Sequence, residues 1–413
     1  MQRIVLFHPA FLEPGGAEFL CINQAQRLAA RGFEVRVVTF AYDAKRWAKE
    51  FNGIELVAVR KRSWKDSVLG WNRGTKLKYR GRRAARFLQD ADVIVAHNSP
   101  CNLMLGSQSL SARRIWQCNE PPRNLHRRLA NPRLTERVES APEDASDFAT
   151  AFWRNILDKD TIDVRDHGKR TRLGQVDIQM TQQLDSVYAI SEFSRDNARK
   201  IYGLCDEEVV YPFVRFPKGG KRSGPIAEDG LQVLVQTRLE MLKHVDAVIR
   251  GFAQYRATDP KATLHIVGDG PLRNQLQELA LDLMPPEACL IHGYLSTADL
   301  RAVYDRCDVF ALLTLDEPFG MVYPEAAARG LLMVGPDHGG PLEILEGGAI
   351  GHCIDPFEPA ALVQALEELR ALSTSEVESR RAKADRSCRA RFGDEVIEAS
   401  LLRSLGQFTS AAK

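Results

Sequence analysis

DEPFGMVYPEAAARGLLMVGPDHGGPLEILE, residues Asp316 to Glu346, is the stretch that decides the fold. Ahead of it, Asp308-Val309-Phe310-Ala311-Leu312-Leu313 is an apolar run of buried-strand length. Within it, Pro324 and Glu325 open an alanine-rich segment that Gly330 stops, so the pattern predicts a helix over 324–329. Glu317 then lies on the loop at the carboxyl end of a strand, and Glu325 near the amino end of the next helix. In an open α/β sheet that crevice is where ligands bind. Free backbone amides of Gly320 to Tyr323 there can meet an anion, while the two carboxylates bond sugar hydroxyls. The layout suits a ligand that is both phosphate and polyhydroxyl.

The same alternation continues upstream. Leu231 to Gln236 reads as a strand, and Thr237 to His244 begins the following loop and helix. Arg238 and Lys243 stand there, two cations at a strand's carboxyl end that can clamp a pyrophosphate. Thr263 to Val267 is a strand ending in the glycine turn Gly268-Asp269-Gly270, and Leu290 to Tyr294 is one more. Ser296 is placed to cap a helix ending near Cys307. After Pro356 two helices are expected up to about Arg391, then a last one over 394–407.

The amino-terminal half has the same character. Ile4 to Phe7 is a strand, and Gly15-Gly16-Ala17-Glu18 leads into an amphipathic helix that Gly32 stops. Glu34 to Thr39 is the second strand, which makes the opening of a doubly wound sheet. Gly15-Gly16 is not a G-x-G-x-x-G fingerprint, so a dinucleotide is not indicated. Further strands are expected at Ile54–Val59, Asp92–Ala96, Arg113–Cys118 and Ser186–Ile190, the last followed by a helix that Ser191 caps. Asp90-Ala91-Asp92 matches a metal-binding D-x-D only superficially, because Asp92 enters a strand at its amino end. His97, at the carboxyl end, is either a site residue or a loop and capping residue. Residues 216–225 have linker composition, which places the boundary between a domain over 1–215 and a second over 216–393.

Composition bounds the class. The chain has 413 residues, 44% hydrophobic and 27% charged, so two or three soluble domains are expected. No apolar run approaches ~18 residues, and the first strand lacks the core and cleavage site of a signal peptide. Eight cysteines include no C-x-x-C pair and read as reduced core thiols, which suggests the cytoplasm rather than a metal site. The net charge of +2 hides an asymmetry: residues 60–86 carry eleven Lys or Arg and one acid, Asp66. With Trp64, Trp71 and Tyr79 among them, these cations suit an anionic membrane surface, a solvated loop or an anionic polysaccharide. No recognised nucleic-acid module accompanies them.

The segment with Glu317 and Glu325, seven residues between them and Gly339-Gly340-Pro341-Leu342-Glu343 downstream, resembles the E-x7-E signature of retaining, family 4-type glycosyltransferases. That resemblance implies a GT-B fold: two doubly wound, Rossmann-like domains facing across a cleft, the last helix crossing back onto the first. It implies a nucleoside diphosphate sugar as donor, with no cofactor and no metal. Arg238 and Lys243 would neutralise the diphosphate, Glu325 would bond the ribose, and Glu317 with the backbone of Phe319, Gly320 and Met321 would orient the sugar. Gly15, Gly16, Gly268 and Tyr294 would complete the nucleotide-sugar site, Tyr294 near the base. Relatives commonly read H-E-P-P-R where this chain has Asn119-Glu120-Pro121-Pro122-Arg123, so Asn119 stands in the place of their active-site histidine. The glycine-glycine-proline string is similar to mannosyltransferases of glycan assembly, implying GDP-mannose first and UDP sugars next, with a glycan or lipid-linked acceptor at the inner face of the cytoplasmic membrane. Two other readings stay open. One is a nucleotide-sugar epimerase; the other is a sugar-nucleotide-binding protein without turnover, which Asn119 would explain.

Overall fold

The structure, a computed structural model, describes residues 2–13, 15–59, 74–123, 125–126, 132–140, 164–206, 208–217 and 221–406. The chain divides into two compact units. The first comprises Met1–Pro132, Lys159–Phe213 and Asp394–Lys413; the second comprises Arg133–Asp158 and Val214–Gly393.

The first unit holds a parallel sheet of β1 (Arg3–His8), β2 (Glu34–Thr39), β3 (Glu55–Ala58), β4 (Val93–His97), β5 (Arg113–Cys118) and β6 (Ser186–Ala189), in the order β3-β2-β1-β4-β5-β6. The second holds β7 (Gln232–Gln236), β8 (Thr263–Val267), β9 (Cys289–Gly293), β10 (Val309–Ala311), β11 (Leu332–Pro336) and β12 (His352–Ile354), also parallel, in the order β12-β11-β10-β7-β8-β9. Counted within each unit both sheets have the doubly wound order 3-2-1-4-5-6. The direction of winding therefore reverses between β1 and β4 in one unit and between β7 and β10 in the other.

Parallel strands covered by helices on both faces must be apolar on both. Val5, Phe7, Ile94 and Ala96 enter one buried cluster of the first unit, and Ile4, Leu6, Val93 and Val95 the other. The helix Asp394–Ser404 belongs to this second face: Ile397 and Leu401 are fully buried with Cys21 and Ile22. Ion pairs of Arg27 with Asp394 and Arg31 with Glu398 line its edge, and Ser400 Oγ donates to the Val209 carbonyl at 2.9 Å.

Local signals hold where one physical cause dominates. Ser191 Oγ accepts from the Ser194 amide at 3.0 Å and Ser296 Oγ from the Asp299 amide at 3.2 Å, each capping the expected helix. The run 308–313 departs from expectation, because only Val309–Ala311 is strand. The chain stays buried beyond Ala311 but changes partner, the Leu315 amide donating to the Leu242 carbonyl at 2.8 Å. The helix expected from Pro324 starts at Val322, since a proline in the first turn needs no amide partner.

The segment expected to be a linker is docked from Lys221 onward. Arg222 donates its amide to the Arg329 carbonyl at 2.8 Å and its guanidinium to buried Asp308 at 2.6 Å, while Lys221 pairs with Asp385. The helix Pro132–Ser140, from the amino-terminal half, groups with the second unit, where Arg137 lies over the Phe357 ring and 3.8 Å from Glu358. Phe148, Phe152, Trp153 and the basic residues 60–73 lie outside the described residues.

Candidate active site

Of the predicted donor residues, the reversal between β7 and β10 brings Lys243 and Glu317 into contact. After β7 the chain makes a short turn, Met241–Lys243, before the helix Val245–Tyr255. The turn Gly268-Asp269-Gly270 packs onto it: Leu239 donates its amide to the Asp269 carbonyl at 2.9 Å. A Cβ on Gly268 (φ +134°) would lie 1.8 Å from the Thr237 carbonyl oxygen, so Gly268 is required by this backbone approach. Arg238 is left outside, 53% exposed, with Nε 2.6 Å from Glu240 Oε1.

Lys243 Nζ meets Glu317 Oε2 at 2.5 Å, an ion pair joining the β7 side of the switch point to the β10 side. Glu317 is positioned by its backbone. The Gly340 amide donates to the Glu317 carbonyl at 2.8 Å, and a Cβ on Gly340 would meet Phe319 Cα at 2.5 Å. Gly339-Gly340 is thus glycine because another backbone runs against it. Phe319 is buried edge-on to Phe392, ring centres 5.2 Å apart, which anchors the loop.

One expectation is corrected here. The Tyr323 amide is not free for an anion; it donates to the Gly320 carbonyl at 3.0 Å, closing the tight turn in which Gly320 takes φ +98°. Met321 precedes the helix Val322–Ala328. Glu325 is partly buried on that helix, and burial raises its carboxyl to about 7 while nearby Arg215 and Arg329 pull it back down. Arg215 was not singled out by sequence; only the fold brings it beside Glu325. Tyr294, directly after β9, is 79% exposed.

The first unit brings a second group to its own reversal, between β1 and β4. Gly15 is the N-cap of the helix Gly16–Ala30, in extended rather than left-handed backbone, and a Cβ there would lie 2.5 Å from Glu18 Oε2. His8 and His97 end the two strands, both buried, with ring centres 6.3 Å apart. His97 ends its strand buried rather than on an exposed loop, and burial lowers its imidazole to about 3 and keeps it neutral. His8, lowered for the same reason and by His97, carried no sequence signal beyond its place at a strand end.

Asn119, just past β5, is held by neighbours in the same unit. Its Nδ2 donates to Asn98 Oδ1 at 2.7 Å, and its Oδ1 faces Gln117 Nε2 at 3.5 Å. Gln117 Oε1 in turn accepts from the buried Tyr188 hydroxyl at 3.0 Å, which fixes which way the amide points. Asp92, of the superficial D-x-D match, accepts the Arg3 amide at 2.7 Å at the opposite, amino end of the strands. Among the described residues no group of three or more His, Cys, Asp or Glu side chains is placed to hold a metal ion. Among them, too, no helix is long and apolar enough to cross a membrane.

Comparison with known proteins follows this division of the chain. The family model described as Glycosyltransferase Family 4 matches residues 14–215, and the one described as Glycosyl transferases group 1 matches residues 220–387. Glycogen synthase of Mycobacterium tuberculosis is 29% identical over 214 residues, 50% of this chain and 50% of that protein. The GDP-mannose-dependent alpha-(1-6)-phosphatidylinositol monomannoside mannosyltransferase of Mycolicibacterium smegmatis is 33% identical over 146 residues, 34% of this chain and 38% of that one. The chain spans about half the length, or less, of these curated relatives. Among solved structures, the apo lipopolysaccharide outer core galactosyltransferase WaaB superposes with a TM-score of 0.69 at 16% identity, covering 98% of this chain and 99% of that one. Anabaena HepE in complex with UDP and glucose gives 0.68 at 18%, covering 97% and 99%. At such identities the likeness is one of fold, and it runs almost end to end. With the two family models succeeding one another over 14–387, the chain belongs to the family 4-type glycosyltransferases of GT-B fold.

Proposed function

We propose that the protein transfers a hexose from a nucleoside diphosphate sugar to a hydroxyl of a glycan or lipid-linked glycan, with retention at the anomeric carbon and without a metal ion or cofactor. The observation that carries this reading is the Lys243–Glu317 ion pair across the β7/β10 switch point, with Arg238 exposed on the loop that leads from β7 to Lys243. A diphosphate offers Lys243 more charge than one carboxylate does. On donor binding Lys243 and Arg238 engage the phosphates, and Glu317 is released toward the sugar. As the glycosidic bond breaks, charge grows on the leaving diphosphate, and these two cations stabilise it in place. Glu325 accepts bonds from the ribose hydroxyls, the backbone of Phe319, Gly320 and Met321 faces the sugar, and Tyr294 lies by the base. Gly15 and Gly16, with Asn119, serve the amino-terminal side of the reaction.

GDP-mannose is the first donor to test, supported by the mannosyltransferase relative; UDP-glucose is the second, supported by the fold neighbour solved with UDP and glucose. A thermal-shift panel of GDP, UDP and dTDP identifies the nucleotide, because a ligand of the folded state alone raises the melting temperature. Incubation with the labelled sugar nucleotide, with and without EDTA, then separates transfer from isomerisation and from binding without turnover. Loss of transfer in EDTA would overturn the metal-free mechanism. We assign the stretch 60–86 to an anionic membrane surface at the inner face of the cytoplasmic membrane, on its composition. Phosphatidylglycerol vesicles should sediment the protein at low salt and lose it at high salt or after Arg/Lys→Glu changes in that stretch. Failure to bind at low salt refutes the assignment.

A further inference from the structure

The loop that carries Glu317 is held from outside. Asp316 stands at φ +50°, in the left-handed region that a non-glycine residue leaves unless neighbours hold it there. Its amide donates to Nε2 of His338 at 3.2 Å. One residue on, the Glu317 carbonyl accepts from Gly340, and Gly339 (φ +74°) fits between because a Cβ there would meet the Glu317 oxygen at 2.9 Å. The short segment 338–340, at the end of β11, thus grips the backbone of 316–317 at both ends.

That grip fixes the tautomer of His338. A ring nitrogen that accepts an N–H carries no proton of its own, so the ring hydrogen is on Nδ1, 3.4 Å from Asp337 Oδ1. We infer that His338 is a positioning residue for Glu317: its neutral Nε2 holds the Asp316 amide, and so keeps the Glu317 carboxylate where it meets Lys243. Protonation at Nε2 would set two donors against each other and break the contact. Charged groups facing the ring include Asp337 on its own segment and Asp316, whose Oδ1 is 3.9 Å from Nε2. The Lys243–Glu317 pair follows next along the loop. An imidazolium would turn from the Asp316 amide to the Asp316 carboxylate, so protonation moves the loop as well as releasing it.

The inference rests on the donor-site reading for the role of Glu317, and two variants with an independent probe keep the two apart. His338→Gln retains an acceptor at the reach of Nε2 but cannot titrate; His338→Leu has no acceptor. In the wild type kcat should fall on the acid side with the titration of His338. His338→Gln should keep most of the kcat and lose that acid limb, and His338→Leu should lose about tenfold in kcat, the size of one buried hydrogen bond. Nucleoside diphosphate affinity, read by calorimetry, should change little in either variant. The 15N spectrum of histidine-labelled wild type, assigned by difference from His338→Gln, should show the Nδ1–H tautomer near neutral pH. Wild-type kcat in His338→Leu, an acid limb of kcat in His338→Gln identical to that of the wild type, or an Nε2–H tautomer would overturn the inference. A wild type that binds no nucleoside diphosphate would instead overturn the donor-site reading, and with it the positioning role.

Discussion

Glu325 joins a structural cost to the proposed chemistry. Its carboxyl, ordinarily near 4.5, is raised to about 7, chiefly because burial disfavours the charge. The folded protein therefore binds more protons than the unfolded chain between those values, and the stability this group contributes falls as pH rises from about 4.5 to 7. The loss is on the order of 3 kcal/mol if fully expressed. Glu325→Gln, neutral throughout, should melt at or above the wild type at pH 8 and level with it near pH 5. Binding should run the other way: an ionised Glu325 is the better acceptor for ribose hydroxyls, so nucleoside diphosphate affinity should rise through about pH 7 in the wild type. In Glu325→Gln it should be weaker and flat. Equal pH profiles for the two proteins would remove Glu325 from the ribose site. At Asn119 the titration argument is absent and hydrogen bonding is everything. Asn119→Ala strips a partner from Asn98 and from Gln117, and is expected to lower transfer roughly 10- to 100-fold, with Asn119→His tolerated. Unchanged transfer in Asn119→Ala would make the residue a bystander.

The loop after β7 and the loop after β10 act as one element of the proposed donor site, because Lys243 of the first is paired with Glu317 of the second. The double change Arg238→Ala/Lys243→Ala should abolish transfer, on the order of 2–4 kcal/mol of transition-state stabilisation per contact, while a urea unfolding midpoint shows the fold intact. Turnover at the wild-type rate in the double variant would sink the site. Elements were legible where a single cause fixes them. Glu34–Thr39 and Arg113–Cys118 alternate with turn residues and match their strands residue for residue, and serine caps announced two helices. The two loops that meet in the Lys243–Glu317 pair were legible as well, since strand ends and helix starts locate a crevice without tertiary knowledge. Three-dimensional competition was not legible. Leu315 leaves its ladder for Leu242, Lys221 and Arg222 find carboxylates far along the chain, and Arg215 reaches Glu325 only through the fold. Nor did the sequence show that His97, at a strand end, would be buried.

At the scale of the whole molecule, the chain leaves its first unit a second time after Phe213 and returns to it at Asp394. The returning helix is no ornament on that unit. Ile397, Leu401, Leu402 and Leu405 join the buried face of Ile4, Leu6, Cys21 and Ile22, and Arg27 and Arg31 pair with its acids. Apolar burial of four such side chains is worth several kcal/mol, on the order of 1.5–3 each as an upper estimate. That is a large share of what a domain has to spare. Of the proposed donor residues, those from Arg238 to Glu325 lie in the other unit, and only Gly15 and Gly16 lie in the first. A chain ending at Gly393 should therefore show two calorimetric transitions, one for the first unit moved down by many degrees and one for the second near its wild-type temperature. The nucleoside diphosphate selected by the thermal-shift panel should raise only the upper transition, because it stabilises the unit that binds it. Transfer should be lost at temperatures above the lower transition while nucleotide binding persists. A single unshifted transition in the truncated chain would show that the helix is dispensable to the first unit. A nucleotide that raised the lower transition instead would move the donor site out of the second.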